Sequence, residues 1–488
     1  MLLFKKKVLY NDIGRSEMKK NNTLKVLLIA ILFTYLLTWI LPITYFNSEL
    51  TTDVRYPVGL FDMFNYPTLT LYYFGTTAIY VLAVGAFYGV LNKTGVFKKI
   101  VDKIVKTFKK KEVLFFAIVV AFIAVLVSFC GFGYEIIFFL PLLAAIILSM
   151  GYDKIAVAET VVGSIAVGYA GSLFAKDITG TYGDTLATTY TDLIWLRVIM
   201  LVLGMALLVF NIVYRIKKKE IKKDDDKELL PEKVEKKTKK GKVKKSWPAI
   251  VIFCLIVVLM IIGTLNFSGA FKIDIFEKFH QSVLDVKIGD FAIFSKILGS
   301  TMSGASFGNW DVAQYTTILV LATIVLAIIY RVSLNDMFDG YKDGAKKFGL
   351  SAFLMVITYT VLITTSNNPI VLTIIKPLMS ITNGFNSVTL SISMFIASIF
   401  NIDVYYTSSA MLPYVTSIIT DTSVYPLVGF ISQTMQGLAL LIAPTSVVLL
   451  GVIAYLKVNY TEWIKNIWKF FLEFFLLAFI LFIIINII

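Results

Sequence analysis

A chain of 488 residues that is 58% hydrophobic and only 16% charged, with a mean hydropathy of +0.80, carries far more apolar side chain than a soluble core needs. Apolar runs of the roughly 18 to 20 residues that cross a bilayer recur from end to end, so the lipid bilayer is the solvent and the fold class is all-α, polytopic membrane protein. The net charge of +14 does not signal nucleic acid: residues 1–25 hold 7 Lys/Arg against 2 Asp/Glu and residues 215–245 hold 15 against 7, which places the basic charge beside apolar segments, as in cytoplasmic loops.

Residues 1–23 read as a cytoplasmic tail containing Lys5, Lys6 and Lys7. The run from Leu24 to Leu41 is too long and bulky for a cleaved signal peptide, and it is expected as a retained first helix. A first transmembrane repeat then fills 24–214. Its spans at about 24–42 and 69–91 lead to a basic amphipathic stretch from Lys93 to Lys111. Residues 113–150 form two apolar arms around Cys130, Gly131, Phe132, Gly133, Tyr134 and Glu135, and neither arm meets a convincing outside loop. A re-entrant hairpin open to the cytoplasm fits that pattern, and so does an ordinary pair of spanning helices turning at Gly131–Gly133. Residues 155–178 run outward as a helix broken at Gly168–Ser172, and 193–214 return.

The charged cytoplasmic linker, 215–246, contains Asp224–Asp226 and Lys236–Lys237 and reads as solvated chain beside anionic lipid. Residues 247–312 add one helix (248–265) and an external segment with Ser300, Ser303, Gly304, Ser306 and Gly308. A second, inverted repeat fills 313–488. It has spans at 313–331 and 349–366 around a loop with Arg331, Lys342, Lys346 and Lys347, then an external stretch at Ser366–Pro369. A second hairpin, 387–421, has its tip at Asn401–Ser409 and opens outward; the broken helix 424–450 is interrupted at Pro444, and the last span covers 467–487. Positive-inside topology closes with nine spans and two hairpins, the N-terminus cytoplasmic and the C-terminus external.

Both halves then run span, span, hairpin, broken helix, span, in opposite orientation, which is the inverted-repeat pattern of secondary transporters. Tyr134, Leu140 and Pro141 lie 272 positions before Tyr406, Leu412 and Pro413, and the same offset sets Ser172 against Pro444. Broken helices offer free N–H and C=O termini in the membrane. The expected substrate-binding residues are therefore Pro444, Thr445, Ser446, Thr407, Ser408, Ser409, Gly133, Glu135, Gly171 and Ser172, with Na⁺ a candidate at the broken-helix carbonyls. For each hydroxyl a back-bond to its own helix is the competing role. Intramembrane charge is costly and usually functional, which adds Glu159, Lys176, Asp177 and Asp403 as a coupling or charge subsite; Lys176–Asp177 equally fits an interfacial pair that snorkels to water. Cys130, Cys254 and the one histidine, His280, form no metal-ligand cluster, and neither a nucleophile elbow nor a phosphate loop is present, so neither a cofactor nor enzymatic chemistry is expected.

Residues Leu441–Gly451 (Leu-Ile-Ala-Pro-Thr-Ser-Val-Val-Leu-Leu-Gly), with Tyr460 and Trp463 after them, set a Pro-Thr-Ser break before a Tyr-x-x-Trp. Lys93-Thr94-Gly95, Gly133-Tyr134-Glu135, Gly151-Tyr152-Asp153 and Phe338-Asp339-Gly340 accompany it in order. From about Tyr56 to Leu472 this pattern resembles the YfcC-like, C4-dicarboxylate anaerobic carrier-like transporters of the ion transporter superfamily. The resemblance implies two hairpins and two interrupted helices around a central site, secondary active transport by an elevator motion, a homodimer, and a carboxylate substrate such as a dicarboxylate, short-chain acid or amino acid, including arginine/ornithine exchange. Departures lie at the site: Tyr134 replaces the first acid of the family's Glu-Glu pair, Lys176-Asp177 stand at its Asn-Pro, Thr407–Met411 at its Ser-Gly-rich turn and Val447 at its Gly.

The expectation is a secondary transporter of a small carboxylate-bearing solute, coupled to Na⁺, H⁺ or counter-substrate. An amino acid is placed ahead of a C4-dicarboxylate or short-chain organic acid because Lys176 accompanies Asp177 and Glu135. A channel is the rival from another class.

Overall fold

The computed structural model describes residues 22–47, 49–218, 228–231, 245–297, 305–382, 384–401 and 403–487. The N-terminal lysines, the acidic and basic clusters of the charged linker, and Ser300, Ser303 and Gly304 lie outside the described residues.

Helix α1 (Thr23–Ile40) leads into a small antiparallel hairpin of β1 (Thr44–Asn47) and β2 (Glu49–Thr52). Helix α2 (Asp62–Thr94) has 33 residues, about 50 Å at the helical rise, and runs well past the bilayer core. The basic stretch after it is α3 (Val96–Phe108), whose apolar residues Val96, Phe97 and Val101 are buried while its lysines stay outside. Helix α4 (Glu112–Cys130) ends at Gly131, whose φ of +77° favours glycine and turns the chain into a short 3-10 segment, Tyr134–Phe139, and α5 (Leu140–Ser149).

The expected broken helix at 155–178 is α6 (Lys154–Ala158), a π-turn (Glu159–Gly163) and α7 (Ser164–Ala170); after the break a second π-turn (Lys176–Gly180) continues as α8 (Thr181–Leu186), eight residues beyond the expected end. Helices α9 (Ile194–Lys218) and α10 (Trp247–Thr264) flank the linker. The external segment holds α11 (Phe267–Phe271), α12 (Ile275–Leu284) and the two-residue strands β3 (Lys287–Ile288) and β4 (Phe291–Ala292). Then come α13 (Val312–Ile329), α14 (Leu334–Thr358) and α15 (Thr360–Asn367). The region around Lys342, Lys346 and Lys347 was expected as a loop; it is helical, because Gly340 and Gly344 of α14 face Gly85 and Gly89 of α2 at backbone contact. A Cβ on Gly89 would land on the Gly340 carbonyl oxygen, and one on Gly344 on that of Gly85. Two Gly-x-x-x-Gly faces therefore lock these long helices together.

Helix α16 (Val371–Met379) is an unexpected element in the stretch after Ser366–Pro369; it carries Pro377 and Lys376 and packs on the β-hairpin, where Thr373 donates to the Pro42 carbonyl at 2.7 Å. The second hairpin is α17 (Ser387–Phe400) and α18 (Val404–Ile418), so Tyr405 to Ser409, expected at the tip, begin the returning helix. The second broken helix is α19 (Tyr425–Ile442) and α20 (Val447–Tyr455), and α21 (Tyr460–Ile487) closes the chain.

Among the described residues nine helical runs are long and apolar enough to span a membrane. The number equals the expected one but the membership differs: Glu112–Cys130 qualifies as a span by length, whereas 155–178 does not, because its π-turns and break leave no continuous helix of 18 residues. The Thr422–Tyr455 run has 83% of its most apolar window buried, against 28% for α10, so the broken helix is the centre of the molecule and α10 a lipid-facing edge.

Candidate functional site

Proline at 444 has no N–H to return to the Leu440 carbonyl, and the chain leaves the helix at Ala443 with extended backbone. The freed carbonyls are met by two aromatic donors from α21: Trp463 Nε1 donates to the Leu441 oxygen at 2.8 Å and the Tyr460 hydroxyl to the Ile442 oxygen. The Tyr-x-x-Trp after the break is thus its hydrogen-bond repair kit. Thr445 Oγ1 donates to the Ile399 carbonyl, tying the break to the end of α17. Ser446 caps α20, its Oγ accepting from the Leu449 N–H at 3.3 Å.

The break at Gly171–Ser172 is closed differently. Ser128 Oγ on α4 donates to the Gly171 carbonyl at 2.8 Å, Thr179 donates to both the Ser172 carbonyl (3.0 Å) and Ser172 Oγ (2.8 Å), and Gln433 Nε2 on α19 donates to the Ala170 and Ser172 carbonyls at 3.2 Å each. All these groups are buried. The two breaks therefore meet through α19, but the first is spent on internal hydrogen bonds.

Between the Gly131–Glu135 turn, the Asn401–Asp403 turn and the Pro444 break lies a cavity of about 350 Å³. Glu135, Asp177 and Asp403 line it together with Gly133, Thr445, Ser446 and Asn401, and among the described residues no Lys, Arg or His lines it. Three acids from 3 separate elements converge there. Glu135 is held by the Gly133 N–H, which donates to Oε2 at 2.8 Å, and its backbone carbonyl accepts from the Tyr80 hydroxyl at 2.8 Å. Asp403 caps α18, its Oδ1 accepting from the Tyr406 N–H at 2.7 Å. Asn401, 4% exposed, accepts from the Asp403 N–H through Oδ1, while its Nδ2 has no partner among the described residues. The first turns of α18 and α20 also reach the cavity at Val404, Tyr405, Val447 and Val448, so two helix N-termini, each with partial positive charge, face the same space as the acids.

Of the residues expected from sequence, Gly133, Glu135, Thr445, Ser446, Asp177 and Asp403 come together in this cavity. Others stand outside its lining. Thr407 bonds the Asn401 carbonyl (3.3 Å), Ser408 bonds Thr185 Oγ1 (2.5 Å) and the Thr181 carbonyl (3.2 Å), and Ser409 bonds the Tyr406 carbonyl (3.3 Å). Pro444 shapes the break without lining the cavity, and Gly171 and Ser172 are used as described. Lys176 is exposed and donates to Asn309 Oδ1 at 3.0 Å, so the cation expected beside Asp177 faces away from the cavity. Glu159 is buried against Arg215 (2.8 Å), which also binds Asp153 (2.8 Å); this ion cluster pins the π-turn to α9. Sequence reasoning missed Asn401's free donor, Gln433 and the aromatic wall of Tyr169 and Tyr359. A glutamine inside an apolar run was the legible signal for Gln433; nothing marked the aromatics among 25 tyrosines.

A polytopic helical protein with a central polar cavity at two turns and a helix break has the architecture of a membrane carrier. The family model described as C4-dicarboxylate anaerobic carrier, DcuC, matches residues 21–487, and the chain belongs to that family. Among solved structures it is similar to the Alcanivorax borkumensis YdaH transporter, at 14% identity and a TM-score of 0.39, over 95% of this chain and 98% of that one. No curated protein matches the sequence.

Proposed function

We propose that this carrier moves a solute bearing both a carboxylate and a cationic group, an amino acid of the arginine or ornithine kind, by secondary active transport through the 350 Å³ cavity. One observation carries the reading: the same cavity is lined by three acids and by the first turns of two helices. The N-terminal turn of α20 suits a carboxylate, and Glu135, Asp177 and Asp403, the last already capping α18, suit an ammonium or guanidinium. Three carboxylates with no Lys, Arg or His beside them among the described lining residues would repel a dianion unless cations enter with it.

Family membership favours a second reading, a C4-dicarboxylate co-bound with Na⁺ or H⁺, in which the acids hold the coupling cations. An elevator-like displacement enters the proposal through family resemblance; the glycine-locked pair α2 and α14 is in direct contact with the broken helix, α14 packing along α20 where Ser351 donates to the Gly451 carbonyl at 2.7 Å. Glycine-lined backbone contact makes that pair a stiff partner for such motion. The homodimer, and a cytoplasmic N-terminus with an external C-terminus, enter the proposal through family resemblance and charge placement.

A thermal-shift screen of purified protein against arginine, ornithine, neutral amino acids, succinate and fumarate, each with and without Na⁺, tests it. Stabilisation by basic amino acids without Na⁺ is expected. Stabilisation by succinate or fumarate alone, only when Na⁺ or low pH is supplied, would replace this reading with the second.

A further inference from the structure

A second groove, largely apolar with a basic rim, lies at the Lys-rich end of α9 where it packs on α21. It measures about 380 Å³ and has two levels. Lys218, Lys465 and Lys469 rim it, while Leu208, Ile212 and Phe470 supply an apolar floor. Two of the three lysines are held in place by aromatic rings. Lys469 Nζ sits 4.5 Å from the Tyr214 ring centroid and 6.0 Å from that of Phe210, and Lys218 Nζ donates to the Tyr214 hydroxyl at 3.1 Å.

The acids nearby leave this rim cationic. Arg215, also in the wall, is matched by Glu159 and Asp153 and so holds the fold together. Glu473 lies 3.5 Å from Lys469 and accepts from Asn211 at 2.6 Å, so it offsets one lysine of three. Trp468, 54% exposed, stands between Lys465 and Lys469 in sequence and borders the groove, the placement of an interfacial anchor.

We propose that this groove is a binding site for an anionic glycerophospholipid, with the phosphate at Lys465, Lys469 and Lys218 and an acyl chain along the apolar floor. A free phosphate would use the rim and leave the floor empty; the two levels together match a lipid. The site is separate from the solute cavity, because Glu135, Asp177 and Asp403 line one and none lines the other.

The test is fluorescence quenching of the full-length protein in vesicles containing brominated phosphatidylglycerol or brominated phosphatidylcholine. The Trp468→Phe variant isolates the Trp468 contribution. Wild-type Trp468 is expected to be quenched more by phosphatidylglycerol, and that preference should weaken about fivefold for each lysine removed in Lys465→Ala and Lys469→Ala. Lys465→Arg/Lys469→Arg should keep it, which separates lost charge from lost structure. An unchanged preference in the double alanine variant overturns the proposal. So does abolition of the preference by inorganic phosphate at constant ionic strength, which would show a site for phosphate alone.

Discussion

At the scale of single residues, the carrier cavity is defined by which polar groups are already committed and which are not. Ser172, Thr407 and Ser408 hold partners inside the protein, whereas Glu135 keeps one oxygen on the Gly133 N–H and lines the cavity. Replacing it by glutamine preserves shape and the Gly133 hydrogen bond but removes the charge. Glu135→Gln is expected to weaken binding of a basic amino acid at least about tenfold, the scale of one lost charge-assisted contact, with little change in melting temperature. Isothermal titration with arginine checks it, and wild-type affinity would remove Glu135 from the cation side. The ion cluster of Arg215 with Glu159 and Asp153 shows the opposite outcome for an intramembrane acid: Glu159 is buried because it is paired, and its place in the sequence, one turn into a helix, does not reveal its partner 56 positions away.

At the scale of elements, breaks in membrane helices persist only where their freed backbone groups are met. Trp463 is fully buried and gives its indole N–H to the Leu441 carbonyl. Trp463→Phe keeps the apolar bulk and loses the donor, so it should destabilise the protein by about 1 to 3 kcal/mol, the cost of an unmet buried acceptor, read as a lower melting temperature in detergent. The α2–α14 contact is less forgiving. Gly344→Ala would drive a methyl into the Gly85 carbonyl, where no side chain can move aside, and should cost about 3 kcal/mol, the upper part of the overpacking range. Melting within error of wild type would show that the helices part freely.

Much of this element order is legible in the sequence, because Pro444 and the Gly131–Gly133 turn announce breaks by removing a donor or permitting positive φ, and apolar run length announces spans. What is not legible is what depends on the third dimension. Gly85-x-x-x-Gly89 and Gly340-x-x-x-Gly344 stand in the sequence, but that the two pairs face each other is a property of the fold, and the lysines beside the second pair suggest a loop. Lys176 and Asp177 are adjacent in sequence, yet the chain sends one to Asn309 and the other to the cavity, which periodicity has no means to foresee.

At the scale of the whole molecule, the family accounts for a carrier, and the cavity sets what kind of solute suits it. A single space of about 350 Å³ is lined by Glu135, Asp177 and Asp403 and by the first turns of α18 and α20. The proposed solute with both charges rests on that lining, and a C4-dicarboxylate with co-bound cations is the reading the family favours. Counterflow into proteoliposomes loaded with unlabelled arginine tests this most directly, with labelled arginine, ornithine and succinate offered outside in turn. Rapid accumulation of arginine and ornithine, absent in Glu135→Gln vesicles, and no accumulation of succinate is the predicted result. Succinate accumulation in succinate-loaded vesicles with none of arginine in arginine-loaded vesicles would contradict it.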